Sequence, residues 1–105
     1  MILEAALLNV IKGTENEFEE RFVLASAILS SMKGYLSHEL HKCIEAEGKY
    51  LLLVRWATLE DHTIGFRGSV EYGEWKALLH RFYDLFPVVE HFTTVYASSV
   101  SVREE

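Results

Sequence analysis

The sequence predicts an α+β fold with four antiparallel strands and two helices in the order β-α-β-β-α-β. Three observations predict it. Apolar runs of strand length occur near both ends of the chain and in its middle, at Ile2–Ile11, Tyr50–Ala57 and Val88–Ala97. Between the first two runs, Phe18, Phe22, Ala25, Leu29 and Met32 recur at spacings of three and four, the stripe of an amphipathic helix. A short polar segment containing Gly48 separates two strand-like stretches, as a hairpin requires.

Taken in order, Ile2–Ile11 contains no turn residue, and its composition predicts a strand buried on both faces. Thr14-Glu-Asn-Glu17 has the form of a capping box, and its acidic residues suit the positive end of a helix. The helix is expected to end at Gly34. Tyr35–Ile44 then alternates, with Leu36, His38, Leu40, Lys42 and Ile44 on one face and Tyr35, Ser37, Glu39, His41 and Cys43 on the other. Glu45–Lys49 is the hairpin connection, and Tyr50–Ala57 the next strand. Thr58-Leu-Glu-Asp61 resembles a second cap, followed by a short helix over His62–Ser69. Gly65, Gly68 and Gly73 weaken this stretch, so a break is expected before a longer helix around Glu71–Tyr83, which Pro87 stops. Val88–Ala97 supplies the last strand, and Ser98–Glu105 a polar tail with some strand character. This order is that of a ferredoxin-like sheet with both helices on one face. The other face would carry Leu8, Val10, Leu51 and Leu53, too apolar to meet water, so a second copy of the chain is expected to cover it.

Composition narrows the function. The 105 residues suffice for one domain and one core, and half of them are apolar. The net charge is −6, with no Lys/Arg cluster, which argues against nucleic acid or an anionic membrane surface as partner. Leu3–Ile11 is too short, and too interrupted by Glu4 and Asn9, for a signal peptide or a membrane span. The single Cys43 forms no internal disulfide, which fits a reducing, cytoplasmic setting.

Metal chemistry is disfavoured, because His38 and His41, three apart on a strand, point to opposite faces and no Cys pair exists. Lys12-Gly13-Thr14 lacks the upstream glycines of a phosphate loop. Among polar residues Asn9 is the most informative, since it interrupts an apolar strand and a buried amide must find partners. It could bind a ligand or satisfy itself on backbone or water. Trp56 ends its strand in phase with Tyr50, Leu52 and Val54, either as a core aromatic or as an indole donor to a ligand. His62 lies in the first turn of a helix, whose dipole lowers imidazole basicity. His91 reads as a structural hydrogen bonder in the last strand.

Four stretches carry a family resemblance: Tyr35-Leu-Ser-His-Glu-Leu40, Leu51-Leu-Leu-Val-Arg-Trp56, Leu59-Glu-Asp-His-Thr-Ile-Gly-Phe-Arg67 and Val89-Glu-His-Phe92. Over roughly residues 3–97 the chain resembles the antibiotic-biosynthesis monooxygenase family of dimeric α/β barrels. The resemblance implies a homodimer and a pocket between sheet and helices. It also implies a small aromatic substrate oxidised by O₂ without a cofactor, with haem binding or degradation as the alternative. In cofactor-free relatives a Trp matches Trp56, and a Tyr six residues later is replaced here by His62. In haem-degrading relatives an Asn matches Asn9 within Asn9-Val-Ile-Lys12, but no His stands at the iron-ligand position, where Trp75 or Lys76 falls, and His80 lies one turn on. The resemblance thus points to Asn9, Trp56 and His62 as catalytic and to Phe22, Phe66, Tyr72 and Trp75 as substrate-binding. Such chemistry needs an electron-rich anion held dry beside O₂, with a neutral group to take its proton. A non-catalytic ligand-binding dimer is a third reading.

Overall fold

A computed structural model describes residues 1–99. It contains β1 (Ile2–Asn9), α1 (Glu15–Ser30), β2 (Tyr35–Lys42), β3 (Lys49–Trp56), a π-helical segment (Asp61–Phe66), α2 (Val70–Leu79), a 3₁₀ turn (His80–Phe82) and β4 (Val88–Phe92). The strands form one antiparallel sheet in the order β2-β3-β1-β4. This is the predicted ferredoxin-like arrangement, and the expected tail lies, from residue 100 onward, outside the described residues.

The alternation of β1 is cleaner than its composition suggested. Glu4, Ala6 and Leu8 are buried, while Leu3, Ala5, Leu7 and Asn9 between them are only half-buried. The strand is therefore not buried on both faces, and Leu8 and Val10 belong beneath the helices rather than on the outer face. Leu51 and Leu53 do point outward, joined by Leu3 and Leu7 from β1 and by Val88 and Phe92 from β4. On the inner face α1 lays down Phe18, Phe22, Ala25 and Leu29, all buried, as its spacing predicted. Phe18 is the hub, with its ring centroid 5.0 Å from that of Tyr50 and 6.0 Å from that of Phe82.

Two local expectations change and one holds. Thr14 makes no capping bond to the helix; its hydroxyl turns back to donate to the carbonyl of Ile11, and the Glu15 carboxylate takes the Gly13 N–H instead. The cap before the π-helical segment does form, with the Asp61 N–H donating to Thr58 Oγ1 at 3.1 Å. The last strand stops at Phe92 rather than Ala97. Its partner explains this: β4 pairs from Val88 opposite Leu7 to Phe92 opposite Leu3, and β1 has almost no chain left beyond that point.

Candidate active site

Helix α2 and the π-helical segment stand off the inner face of the sheet and leave a cavity of about 370 Å³. Ala6, Leu8, Leu52 and Val54 form its sheet side, and Phe66, Tyr72 and Trp75 its helix side. The π-helical geometry helps to shape it. The Arg67 N–H reaches five residues back to the His62 carbonyl, at 3.1 Å, and the widened turn has both His62 and Phe66 buried.

One end of the cavity is polar. Glu4 occupies an inward position of β1 and is only 7% exposed. The register places it directly opposite His91 on β4, and Ile2, two residues before it, opposite Trp56 on β3. These pairings bring three distant residues together on one face. Trp56 Nε1 donates to Glu4 Oε1 at 2.9 Å. His62 Nε2 stands 3.4 Å from that same oxygen. His62 Nδ1 is hydrogen-bonded to His91 Nε2 at 2.8 Å. The His62 ring is stacked on the Trp56 indole, with centroids 5.5 Å apart and planes 18° apart, which fixes its orientation.

Burial governs the charges here. It raises the Glu4 carboxyl above its ordinary range, against the opposing influences of the Trp56 hydrogen bond and Arg67. Burial likewise holds His62 neutral down to about 3, aided by the positive Arg67 and by His91. His91 shifts in the same direction, through burial and then Arg67. His62 therefore approaches Glu4 as an uncharged imidazole, kept so by burial, and the contact is not a strong ion pair. What results is a dry, neutral proton acceptor between a carboxyl group and a second imidazole that is only half-buried.

The structure brings five of the seven sequence-predicted residues to this region. His62, Phe66, Tyr72 and Trp75 line the cavity, and Trp56 lies fully buried behind His62. Phe22 is placed one layer back, packed against Trp75 with centroids 5.8 Å apart. Asn9 is not brought to the group at all. It occupies an outward position of β1, opposite Lys49, and its carbonyl accepts the Asp84 N–H at 2.8 Å.

Sequence reasoning passed over Glu4, Arg67 and the catalytic potential of His91. Glu4 was visible as the only charge in an apolar strand, in phase with Ala6 and Leu8. The pairing that sets it opposite His91 was not visible. A second cluster lies outside the cavity lining: Ser26 Oγ is 2.6 Å from His38 Nε2, and the Tyr35 hydroxyl meets the other ring nitrogen. It ties α1 to β2. Among the described residues no three His, Cys, Asp or Glu side chains converge as a metal site, and no helix is long and apolar enough to cross a membrane.

Comparison with known proteins matches this architecture. The uncharacterized protein YczJ of Bacillus subtilis (strain 168) is 63% identical over 95 residues, covering 90% of this chain and all of that protein. The crystal structure of a Bordetella bronchiseptica protein assigned by name to the antibiotic biosynthesis monooxygenases superposes with a TM-score of 0.88 at 33% identity, covering 90% of this chain and 97% of that one. SnoaB, a cofactor-independent oxygenase from Streptomyces nogalater, shares the fold, with a TM-score of 0.80 at 16% identity, covering 91% of this chain and 94% of that one. The sequence model of the antibiotic biosynthesis monooxygenase domain matches residues 1–78. With that match, and with the same sheet and helices in its solved neighbours, the chain belongs to the antibiotic biosynthesis monooxygenase family.

Proposed function

We propose that this protein is a cofactor-independent monooxygenase, active as a homodimer, that oxidises a hydroxylated aromatic or quinol-like small molecule with O₂. The observation that carries the reading is the placement of His62, buried at the polar end of an aromatic-walled cavity with one ring nitrogen on His91 and the other 3.4 Å from Glu4. The family membership and the fold shared with SnoaB support it.

In this reading the substrate ring lies between the aliphatic sheet side and Phe66, Tyr72 and Trp75. The substrate gives up its phenolic proton toward His62, and the resulting anion is electron-rich enough to react with O₂. A C–O bond forms at the activated carbon, and the peroxide takes back the proton held by His62, giving a hydroperoxide. Loss of the remaining hydrogen from that carbon, with cleavage of the O–O bond, leaves a carbonyl and one molecule of water. Glu4 Oε1, 3.4 Å from His62 Nε2, is placed to accept from the imidazole while it holds the proton, and His91, 2.8 Å away on the other ring nitrogen, fixes the ring. The apolar walls exclude water while the anion waits for O₂.

Haem fits these residues less well. Asn9, the residue shared with haem-degrading relatives, stands on the opposite face of the sheet from the cavity. No step is assigned to it.

Oxygen uptake by the purified protein with a panel of phenols, quinols and anthrones tests the proposal. Wild type should consume O₂ with at least one of them. His62→Phe, which keeps the stacking on Trp56, should lower the rate by about 10²-fold or more. Absence of uptake across the panel, or an unimpaired His62→Phe enzyme, would refute it.

A further inference from the structure

The charges around the cavity run against the charge of the molecule. The chain carries 16 acidic and 10 basic residues, yet the cavity is lined by Arg67, Lys76 and His80 and by a single acid, Glu4. That acid is buried at the polar end, hydrogen-bonded to Trp56, and disposed by burial toward its neutral form. Arg67 and Lys76 are solvent-exposed at the rim. Among the described residues neither takes part in an ion pair, a property they share with Lys12, Arg21, Lys33 and Lys49, but of these six only Arg67 and Lys76 line the cavity. Lys76 Nζ rests over the face of Tyr72, 5.0 Å from the ring centroid, which holds the ammonium at the cavity wall. The positive charge of Arg67 is felt by Glu4, His62 and His91 alike.

Two unneutralised cations flanking an aromatic slot in an acidic protein form a recognition feature, not a solubility feature. We propose that the substrate carries an anionic group, a carboxylate or a phosphate, which Arg67 and Lys76 hold at the rim while the aromatic body enters between Trp75 and the sheet. The inference rests on the cavity being the substrate site, as in the oxygenase reading, but not on any oxidation taking place. The long-range field has a second consequence. A protein of net charge −6 repels anions overall, so without local cations at the entrance an anionic substrate would be discouraged from approaching. Arg67 presents a planar fork of donors suited to two oxygens at once, and Lys76 a point charge on the wall of the same cavity. The anion therefore sets the orientation of the ring and points its far edge, with the hydroxyl, at His62.

The test is a binding measurement that needs no turnover. Trp75 lines the cavity, so quenching of tryptophan fluorescence reports occupancy. Three probes of one shape are titrated at low ionic strength: 2-naphthoate, 2-naphthyl phosphate and the neutral 2-naphthamide. At least one of the two anions should bind roughly tenfold or more tightly than the amide, the worth of about one charge-assisted contact. The tighter of the two identifies the group. Arg67→Gln and Lys76→Gln, both at exposed positions, should each reduce that preference, and added salt should weaken the anion but not the amide. Arg81→Gln, which removes an exposed cation paired with Glu17 outside the cavity, should leave the preference intact. Equal binding of amide and anions, or a preference that survives both cavity substitutions, overturns the proposal. If the preference is found and no phenol is oxidised, the oxygenase reading fails while this one stands. If oxidation is found with indifference to charge, the reverse holds.

Discussion

Burial keeps His62 neutral in the folded protein down to about 3, whereas in the unfolded chain its ordinary value is 6.5. Between these values the unfolded state binds more protons than the folded one, so stability falls as pH drops below about 6.5. Glu4 works the other way, since its raised value lets the folded state bind protons first. His38, His80 and His91 are all lowered and reinforce His62. The melting temperature should therefore fall from pH 7 to pH 5, and His62→Phe should flatten that slope, a single group contributing up to about 1.4 kcal/mol per pH unit. A wild-type melting temperature flat over this range would contradict the account. Asn9 makes a contrasting residue-scale case. Its side chain is on the outer face, so Asn9→Ala should leave oxygen uptake within about twofold of wild type, as expected of a substitution away from the chemistry. A loss of the size expected for His62→Phe would mean that Asn9 reaches the substrate after all.

At the scale of elements, the turn between α1 and β2 sets where the π-helical segment begins. Gly34 has a φ of +83°, and a Cβ there would lie 2.1 Å from Asp61 Oδ2. Its carbonyl also accepts the Ala57 N–H at 2.7 Å, which joins the turn to the end of β3. Gly34→Ala should thus cost roughly 1–2 kcal/mol for the left-handed backbone, plus the displacement of Asp61. Urea melts of Gly34→Ala alone and combined with Asp61→Gly, which removes the whole Asp61 side chain, separate the two parts. The double variant should recover the clash but not the backbone cost. A Gly34→Ala protein as stable as wild type would show that this turn rearranges freely.

For the whole molecule, the outer face of the sheet decides the assembly. Leu51 is 38%, Val88 59% and Phe92 48% exposed in the single chain, beside Leu3, Leu7 and Leu53. An exposed apolar face of this kind marks an interaction surface, and in the proposed homodimer the sheet of the second copy lies on it. Leu53→Glu puts a carboxylate at its centre, where packing against a second copy would strip its water. Sedimentation should find wild type dimeric, and Leu53→Glu monomeric or aggregated. A well-behaved wild-type monomer at micromolar concentration would exclude the dimer.

The order of elements, the stripe of α1 and the hairpin at Gly48 were legible in the sequence because each depends on neighbours a few residues apart. His62, Phe66, Tyr72 and Trp75 were named as site residues through the family resemblance, and the structure places all four on the cavity wall. Which face of β1 is inner was not legible. Both phases of Ile2–Asn9 are apolar, and only pairing with β3 and β4 sends Glu4 inward and Asn9 outward. The end of β4 was hidden for the same reason, since a strand extends only as far as its partner, and β1 runs out at its start. The polar end of the cavity joins residues 4, 56, 62 and 91, which no local pattern links. Tertiary structure decided that cluster because strand register, a long-range property, puts Glu4 opposite His91, and because burial, a property of the packed whole, disfavours the charged form of each.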